Sequence, residues 1–591
     1  MNRQIEVAKN HLKPSTRIGI MYAIIVLVVI IFGIRLFYLQ VIKYDYYKKT
    51  ALTGQLREYQ IPAKRGIIEA FDNNGVVPIV LNEKKYTLFA DPKFITEPEV
   101  VAAKVQGIIG GDNSKIVEKL KADTRYSILA KKLSTEQKNS LDKLDLKGVG
   151  TREESVRTYP QGDLAAQLLG FVDDEGNGKY GLEQYLNGKL SGEPGQLKAI
   201  TDVKGVPLVA NKDNVISQPK DGDRVLLTID LSMQKQLEDI LKKGLDRASS
   251  KSGSALIIDP NTGAIKAMAN YPSYNPAEFY KVEDGNLFNN AAVSSPLEVG
   301  SIMKPLTAAA AINQGVVTPN TTYYDPSFYK IGDATVSNIE EDGGAGTRSV
   351  KDILELSLNT GATWLLMQMG GGSINQKGRE VWHDYMVNHY RFGRQTGVEQ
   401  GYEAAGSIPD PNEGFGLDIV YANTAFGQGM TATPLQMGAA LSAVINGGNY
   451  YQPHLVDKVT SNDGKSSTTE SKVLKSGVVS PGVSNQMIDL MEGVVNKNYY
   501  IYGMSQLRPE YSIGGKTGTA EIAKPGGGYY EDRYNGTFMG FIGGDKPQYV
   551  IVTRANDPGI GGYAGSRAAA PIFSDTVEML INNFNVIPRS R

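Results

Sequence analysis

At 591 residues the chain exceeds one ordinary domain, and its 41% hydrophobic and 21% charged residues are those of a globular protein with core to spare. A net charge of −1 supplies no basic face for nucleic acid, which is therefore not expected as a partner. The absence of cysteine excludes thiolate catalysis, zinc–cysteine sites and disulfides, and the four histidines stand in no metal-ligand spacing, so neither a metal nor a cofactor is expected.

The first element is apolar. Ile18 to Ile34 is 17 residues without a charge, and Leu36 to Leu39 continues the run beyond Arg35. At ~1.5 Å per residue this stretch spans a ~30 Å hydrocarbon core, with Arg35 snorkelling to one interface. Bulky RLFYLQV follows where a signal peptidase needs small residues, so the span reads as an uncleaved anchor. Flanking charge does not orient it: Arg3, Lys9, Lys13 and Arg17 precede the span, and Arg35, Lys43, Lys48 and Lys49 follow. No second span of comparable length follows, so the remainder forms a soluble body on one side of the membrane.

Residues 40–215 are mixed, with strand-like KYTLFA (85–90) and charged, helix-like NSKIVEKLKAD and STEQKNSLDKLD. ANKDNVISQPKDGDR (210–224) reads as a linker or an exposed loop. The texture then changes. RVLLTID is a strand, and LSMQKQLEDILKKGLDRA is an amphipathic helix with Met233, Leu237, Ile240, Leu241 and Leu245 on one stripe. SALIIDPNTGAIKAMAN is a hairpin turning at Asp259–Gly263. YSIGGKTGTAEI, GTFMGFIGG and QYVIVTRAN add strands, with LTAAAAINQG and LQMGAALSAVINGG as helices between. The class expected is α+β, an antiparallel sheet packed against helices.

S-x-x-K occurs five times, starting at Ser140, Ser217, Ser232, Ser301 and Ser327, so context must choose. Ser140 lies on a polar stretch, Ser217 beside Pro219, and Ser232 in an opening helical turn where serine is usually a cap. In EVGSIMKPLTAAAAINQG, by contrast, Gly300 precedes a serine at the start of a small-residue helix. There the Ser301 hydroxyl and the Lys304 amine share one face, a turn apart, so a neutral lysine could take the serine proton. Lysine at its ordinary ~10.4 is a poor base, so burial and a second cation are needed to depress it. Two further pieces follow in order. In LELSLNTGA, Ser357 suits a proton relay and Asn359 a substrate amide. In IGGKTGTAE, Lys516 supplies the second cation, Thr517 suits a carboxylate and Gly518 lets substrate approach the strand. Ser273-Tyr-Asn275, Lys251-Ser-Gly253 and Lys475-Ser-Gly477 mimic single pieces, but the ordered triple is the motif set of serine acyl-enzymes that recognise penicillin.

At these residues the chain resembles the class B penicillin-binding proteins, peptidoglycan D,D-transpeptidases, and most closely their division type. The resemblance runs along almost the whole chain. Pro62-Ala-Lys-Arg65-Gly66-Ile-Ile, Arg157-Thr-Tyr159-Pro160 with AAQLLGFV, and GLEQYLNGKLSGEPG are similar to pedestal motifs. LTID, GAIKAMANYPSYNP, NTAFGQGMTATPLQ and INGGNYYQP are similar to transpeptidase signatures, in order. The resemblance implies a cytoplasmic tail (1–17), a transmembrane helix (18–39), an elongated pedestal of the dimerisation type (40–215) and a transpeptidase domain (222–591) outside the cytoplasmic membrane.

It also implies roles. Ser301 would be the acylated nucleophile and Lys304 its base. Ser357 and Asn359 would form the second motif and Lys516, Thr517 and Gly518 the third, with the N–H groups of Ser301 and Thr519 as oxyanion hole. The implied partners are stem peptides ending in D-Ala-D-Ala, β-lactams, other divisome proteins and a polytopic glycan polymerase of the shape-elongation-division-sporulation class. Three departures are visible: Val299 where proline is common, Leu358 where serine is frequent, and RGIIEAFDNNG for the usual pedestal motif. Other readings of the same motifs are an elongation-type transpeptidase, a β-lactam-sensing receptor, a β-lactamase or carboxypeptidase, and a scaffold with a dead site. A single span with a short tail disfavours the sensor, a large pedestal the hydrolase, and an intact motif set the scaffold.

Overall fold

The computed structural model describes residues 14–47, 56–73, 75–200, 215–339, 344–560 and 563–590. Most of the expected cytoplasmic tail and the start of the expected linker, 210–214, lie outside these residues. The chain divides into two compact units, 1–63 with 193–220 and 64–192 with 221–591.

In the first unit, helix Pro14–Phe37 runs into a π-helical turn, Tyr38–Ile42. Apolar side chains such as Leu27, Phe32 and Ile34 are all exposed, as a lipid-facing helix requires. Among the described residues, one helix is long and apolar enough to cross a membrane, over Ile18–Ile42. Strands Leu56–Ile61, Gly195–Ile200 and Val215–Ser217 form a small antiparallel sheet, so the expected loop at 210–224 contains a strand.

The second unit holds two large sheets. The first orders strands Ser466–Thr468, Val456–Thr460, Arg224–Asp230, Ile68–Asp72, Gly75–Ala90 and Ser127–Leu133, with Val149–Thr158 also paired to Gly75–Ala90. Arg224–Asp230 and Ile68–Asp72 are parallel, Val225 facing Ile68. The strand expected at 85–90 is the end of a 16-residue strand that serves two sets of neighbours. Beyond its far end, Leu88, Val105, Ile116, Leu120 and Leu133 form a core of their own.

The second large sheet is antiparallel, in the order Ile265–Tyr271, Ser252–Ile258, Pro547–Asn556, Tyr529–Gly543 and Ser512–Ala523. Its first two strands are the expected hairpin, whose tip closes through Asn261 N–H to Asp259 Oδ1 at 2.8 Å. Helix Leu231–Arg247 starts where Asp230 accepts from Met233 N, and buries Met233, Leu237, Leu241 and Leu245. It crosses helix Ala570–Asn583 at Gly244, where a Cβ would stand 2.3 Å from Ile572 Cγ1. Helix Pro481–Asn498 packs on the outermost strand, Ser512–Ala523, and helix Pro434–Ile445 on Pro547–Asn556. The class is α+β, as the pattern implied.

Three pedestal motifs converge on one buried carboxylate. Glu183, whose side chain is fully buried, accepts from Arg65 Nε and from Arg157 Nε, each at 2.7 Å. Arg157 Nη1 also donates to Gly66 O at 2.6 Å and Asn82 Oδ1 at 2.9 Å, while Arg65 Nη1 reaches Asn187 Oδ1 at 2.9 Å. One anion shared by two guanidiniums compensates charges that burial would otherwise penalise.

Among the described residues, a second, half-buried carboxylate has no such compensation. Glu238, on helix Leu231–Arg247, accepts through Oε1 from Ala165 N and Gln234 Nε2, both at 2.8 Å. Burial, with Asp163 and Asp239 nearby, outweighs those bonds and pushes it from its ordinary 4.5 to about 7. Between these values the folded state keeps a proton that the unfolded state gives up. Stability is therefore expected to fall as pH rises through this window and to be lowest above it. Glu238→Gln keeps an oxygen acceptor without the charge. It should raise the thermal midpoint at pH 8 and leave it nearly unchanged at pH 5; an equal shift at both values would contradict this origin.

Candidate active site

The first motif sits where a 3-10 turn enters a helix, the second in a turn between two helices and the third within a strand. Gly300–Met303 is a short 3-10 turn that runs into helix Lys304–Asn313, with Pro305 in the first turn where it costs no hydrogen bond. From Gly300 to Ile312 every residue is buried except Ser301, which alone reaches the surface. Lys304 is 0% exposed, inside a run of small side chains that lets neighbouring helices approach.

The second motif occupies the turn between two helices, not a helix end followed by a loop. Helix Val350–Glu355 opens on a capping box of Ser349 with Asp352, and the next helix opens at Asn359. Between them Ser357 is left-handed, φ 58°, and its carbonyl thereby faces Lys304. Lys304 Nζ donates to Ser357 O at 2.5 Å, Ser357 Oγ at 3.1 Å and Asn359 Oδ1 at 2.8 Å. Three oxygens matching the three N–H bonds of an ammonium form a cradle for the proton that lysine would take from serine.

The third motif lies on strand Ser512–Ala523, at the edge of the antiparallel sheet. Alternation along the strand buries Lys516, 1% exposed, and Gly518, and leaves Thr517, Thr519 and Glu521 half-buried on the other face. Lys516 Nζ donates to Thr517 O at 3.2 Å and Thr517 Oγ1 at 3.3 Å. Thr517 also hydrogen-bonds the phenol of Tyr502, which burial nonetheless pushes up to about 12.

Backbone lies directly on backbone between the serine turn and this strand. A Cβ on Gly300 would stand 2.6 Å from Thr519 O, and one on Gly518 would stand 2.7 Å from Val299 O. On the outer sides, a Cβ on Gly427 would meet Gly300 O at 2.2 Å, and one on Gly565 would meet Gly518 O at 2.4 Å. Gly300 N–H donates to Gly427 O at 3.0 Å and Thr537 Oγ1 donates to Val299 O at 3.1 Å. Four glycines thus bring the peptide of Ser301 to Thr519 at a separation that side chains would forbid. That is the closeness a two-amide oxyanion hole requires.

The structure therefore joins Lys304, Ser357 and Asn359 by direct bonds, and Ser301 to the Lys516–Thr519 segment by this stack. The other four serines are elsewhere: Ser140 in helix Thr135–Asp142, Ser217 accepting from Gln196 N, Ser232 in a first helical turn, and Ser327 bonded through its N–H to Asp325. Val299 and Leu358, the departures noted above, are both buried. Gly427, Thr537, Gly565 and Tyr502 were not legible as site residues. Each lies far along the chain from the residue it serves, and GQG, NGT and AGS carry no chemistry of their own.

Residues 253–578 match the penicillin binding protein transpeptidase domain and residues 60–227 the penicillin-binding protein dimerisation domain. Stage V sporulation protein D of Bacillus subtilis is 30% identical over 580 residues, covering 95% of this chain and 85% of the relative. The peptidoglycan D,D-transpeptidase FtsI of Escherichia coli is 27% identical over 568 residues, covering 94% of this chain and 89% of the relative. Among solved structures, penicillin binding protein 2X of Streptococcus thermophilus shares the fold with a TM-score of 0.71 at 22% identity, over 88% of this chain and 80% of that one.

Proposed function

The chain belongs to the class B penicillin-binding proteins, in the FtsI group of division-type peptidoglycan D,D-transpeptidases, and from that premise we propose that Ser301 carries the acyl group. Ser301 Oγ attacks the carbonyl of the penultimate D-Ala of a stem peptide, and Lys304 takes its proton. The N–H groups of Ser301 and Thr519 hold the oxyanion. The C–N bond to the terminal D-Ala breaks, and the proton returns from Lys304 through Ser357 to the departing amine. An amine of a second stem peptide then attacks the ester, forming the cross-link and restoring the serine hydroxyl. Lys516 and Thr517 receive the terminal carboxylate and Asn359 the substrate amide. A β-lactam, whose strained ring amide replaces the D-Ala-D-Ala bond, would open onto Ser301 Oγ and leave its own acyl ester there, with the ring nitrogen taking the proton.

The single observation that carries this reading is the three-oxygen cradle around buried Lys304, one turn from the only surface residue of its segment. The membrane helix supports single-pass anchoring. We read residues 1–17 as cytoplasmic, 40–215 as pedestal and 222–591 as the catalytic domain, on the outer face. There stem peptides and a polytopic glycan polymerase, with other divisome proteins, would meet it.

The test is to incubate the full chain in detergent with a penicillin, digest it and map the adduct by mass. The adduct is expected on the peptide containing Ser301, and an adduct on Ser140, Ser217, Ser232 or Ser327 would overturn the assignment.

A further inference from the structure

The turn that brings Ser357 and Asn359 to Lys304 does not support itself. A left-handed serine persists only where its surroundings over-determine it. The helix that follows, Asn359–Met369, has Leu358 at its N-cap, with no side chain to cap it. Its cap comes from another element. Thr360 N–H donates to Asn338 Oδ1 at 3.1 Å, and Asn359 Nδ2 donates to Ser337 O at 3.1 Å. Residues 337 and 338 end the hairpin Phe328–Ile331 with Ala334–Ser337, which contains no catalytic motif.

Asn338 is itself held. Its Nδ2 lies 3.4 and 3.3 Å from the two oxygens of Asp325. Asp325, 0% exposed, also accepts from the Thr360 hydroxyl at 2.8 and 2.7 Å, the Tyr323 phenol at 3.0 Å and Ser327 N–H at 2.8 Å. A carboxylate only accepts, so it can satisfy all these neutral donors at once where an amide or an alcohol could not. One of the donors is Thr360, the residue after Asn359.

We propose that Asp325 and Asn338 form a positioning latch that fixes the Ser357–Asn359 turn against Lys304, so that the hairpin Phe328–Ser337 sets the rate of acylation without touching the substrate. This rests on the reading of Ser301 as nucleophile and Lys304 as its base. A latch of this kind sets where the base and relay stand, and small displacements there are costly to rate. The carboxylate contact on the Lys516 strand stays in place, so binding of the ligand, which also uses Asn359, is expected to change much less than the rate.

The full chain in detergent is reacted with a fluorescent penicillin over a range of concentrations, separating the dissociation constant from the maximal acylation rate. Asn338→Ala, at a half-buried position, removes the helix cap without removing a buried charge. It is expected to lower the maximal rate about tenfold or more and to change the dissociation constant less than about twofold. Leu120→Ala, in the separate core of the pedestal, should lower the thermal midpoint and leave the rate alone. An unacylated wild type would overturn the reading of the site. An acylated wild type with Asn338→Ala at the same maximal rate would overturn the latch alone, as would a loss confined to the dissociation constant.

Discussion

Lys304→Arg is expected to lower acylation by the ~10²–10⁴ typical of losing a general base, although the positive charge is kept. A guanidinium does not give up its proton usefully, so it cannot take one from Ser301. Its planar fork also does not match three oxygens set around a single nitrogen at 2.5 to 3.1 Å. Lys516 has different work. It lies on a strand beside Thr517, where in the proposed mechanism its positive charge would attract the carboxylate of the substrate. Lys516→Arg should therefore retain far more activity than Lys516→Ala, provided the larger group fits a site that is 1% exposed. The measurement is the acylation rate of each variant at saturating β-lactam, beside Ser301→Ala as the unreactive reference. If Lys304→Arg acylates like the wild type and Lys516→Arg is dead, the two lysines have been assigned the wrong way round.

Glu183→Gln should destabilise the protein by ~3–5 kcal/mol, the usual cost of removing one partner from a buried ion pair. Here the loss leaves two guanidiniums, with side chains 9% and 5% exposed, facing a neutral amide. The residues that meet at Glu183 come from three stretches of chain, and Arg157 bonds both Gly66 O and Asn82 Oδ1. The midpoint of urea unfolding should move down strongly. Because the cluster is shielded from solvent, the difference from wild type should survive in high salt, unlike that of surface pairs such as Lys84 with Glu153. An unchanged midpoint would show that the cluster carries no stability.

These two predictions differ in how far the sequence alone could reach them. The S-x-x-K, S-x-N and K-T-G pieces are read locally because each reactive pair lies within one turn or one strand, where spacing fixes geometry. The arginines and the glutamate of the pedestal stood in recognisable motifs, yet nothing in their spacing said that they share one charge. The long strand Gly75–Ala90 was read only at its end. Its exposed Glu83 and Lys84 and half-buried Lys85 interrupt the alternation where it changes partners. Asp325 and Asn338 were invisible for a simpler reason. They act on Thr360 across 35 and 22 residues, and an aspartate or asparagine in a hairpin is ordinarily a turn residue. The turn at Ser357 was expected to follow a helix, and it does. What could not be foreseen is that it also precedes one, because Leu358 offers no cap to announce it.

The parallel pairing of Ile68–Asp72 with Arg224–Asp230 dictates where this protein tolerates being cut. A fragment that begins after the pedestal carries Arg224–Asp230 with one flank stripped of its neighbour. Val225, Leu227 and Ile229 on that strand are buried in the intact chain. The open backbone edge of an aliphatic strand is a template for pairing with a second copy, and so for aggregation. The soluble piece therefore starts upstream of Gly66, not at the boundary that the motifs suggest. Residues 64–90 have to travel with the catalytic half, as part of its sheet.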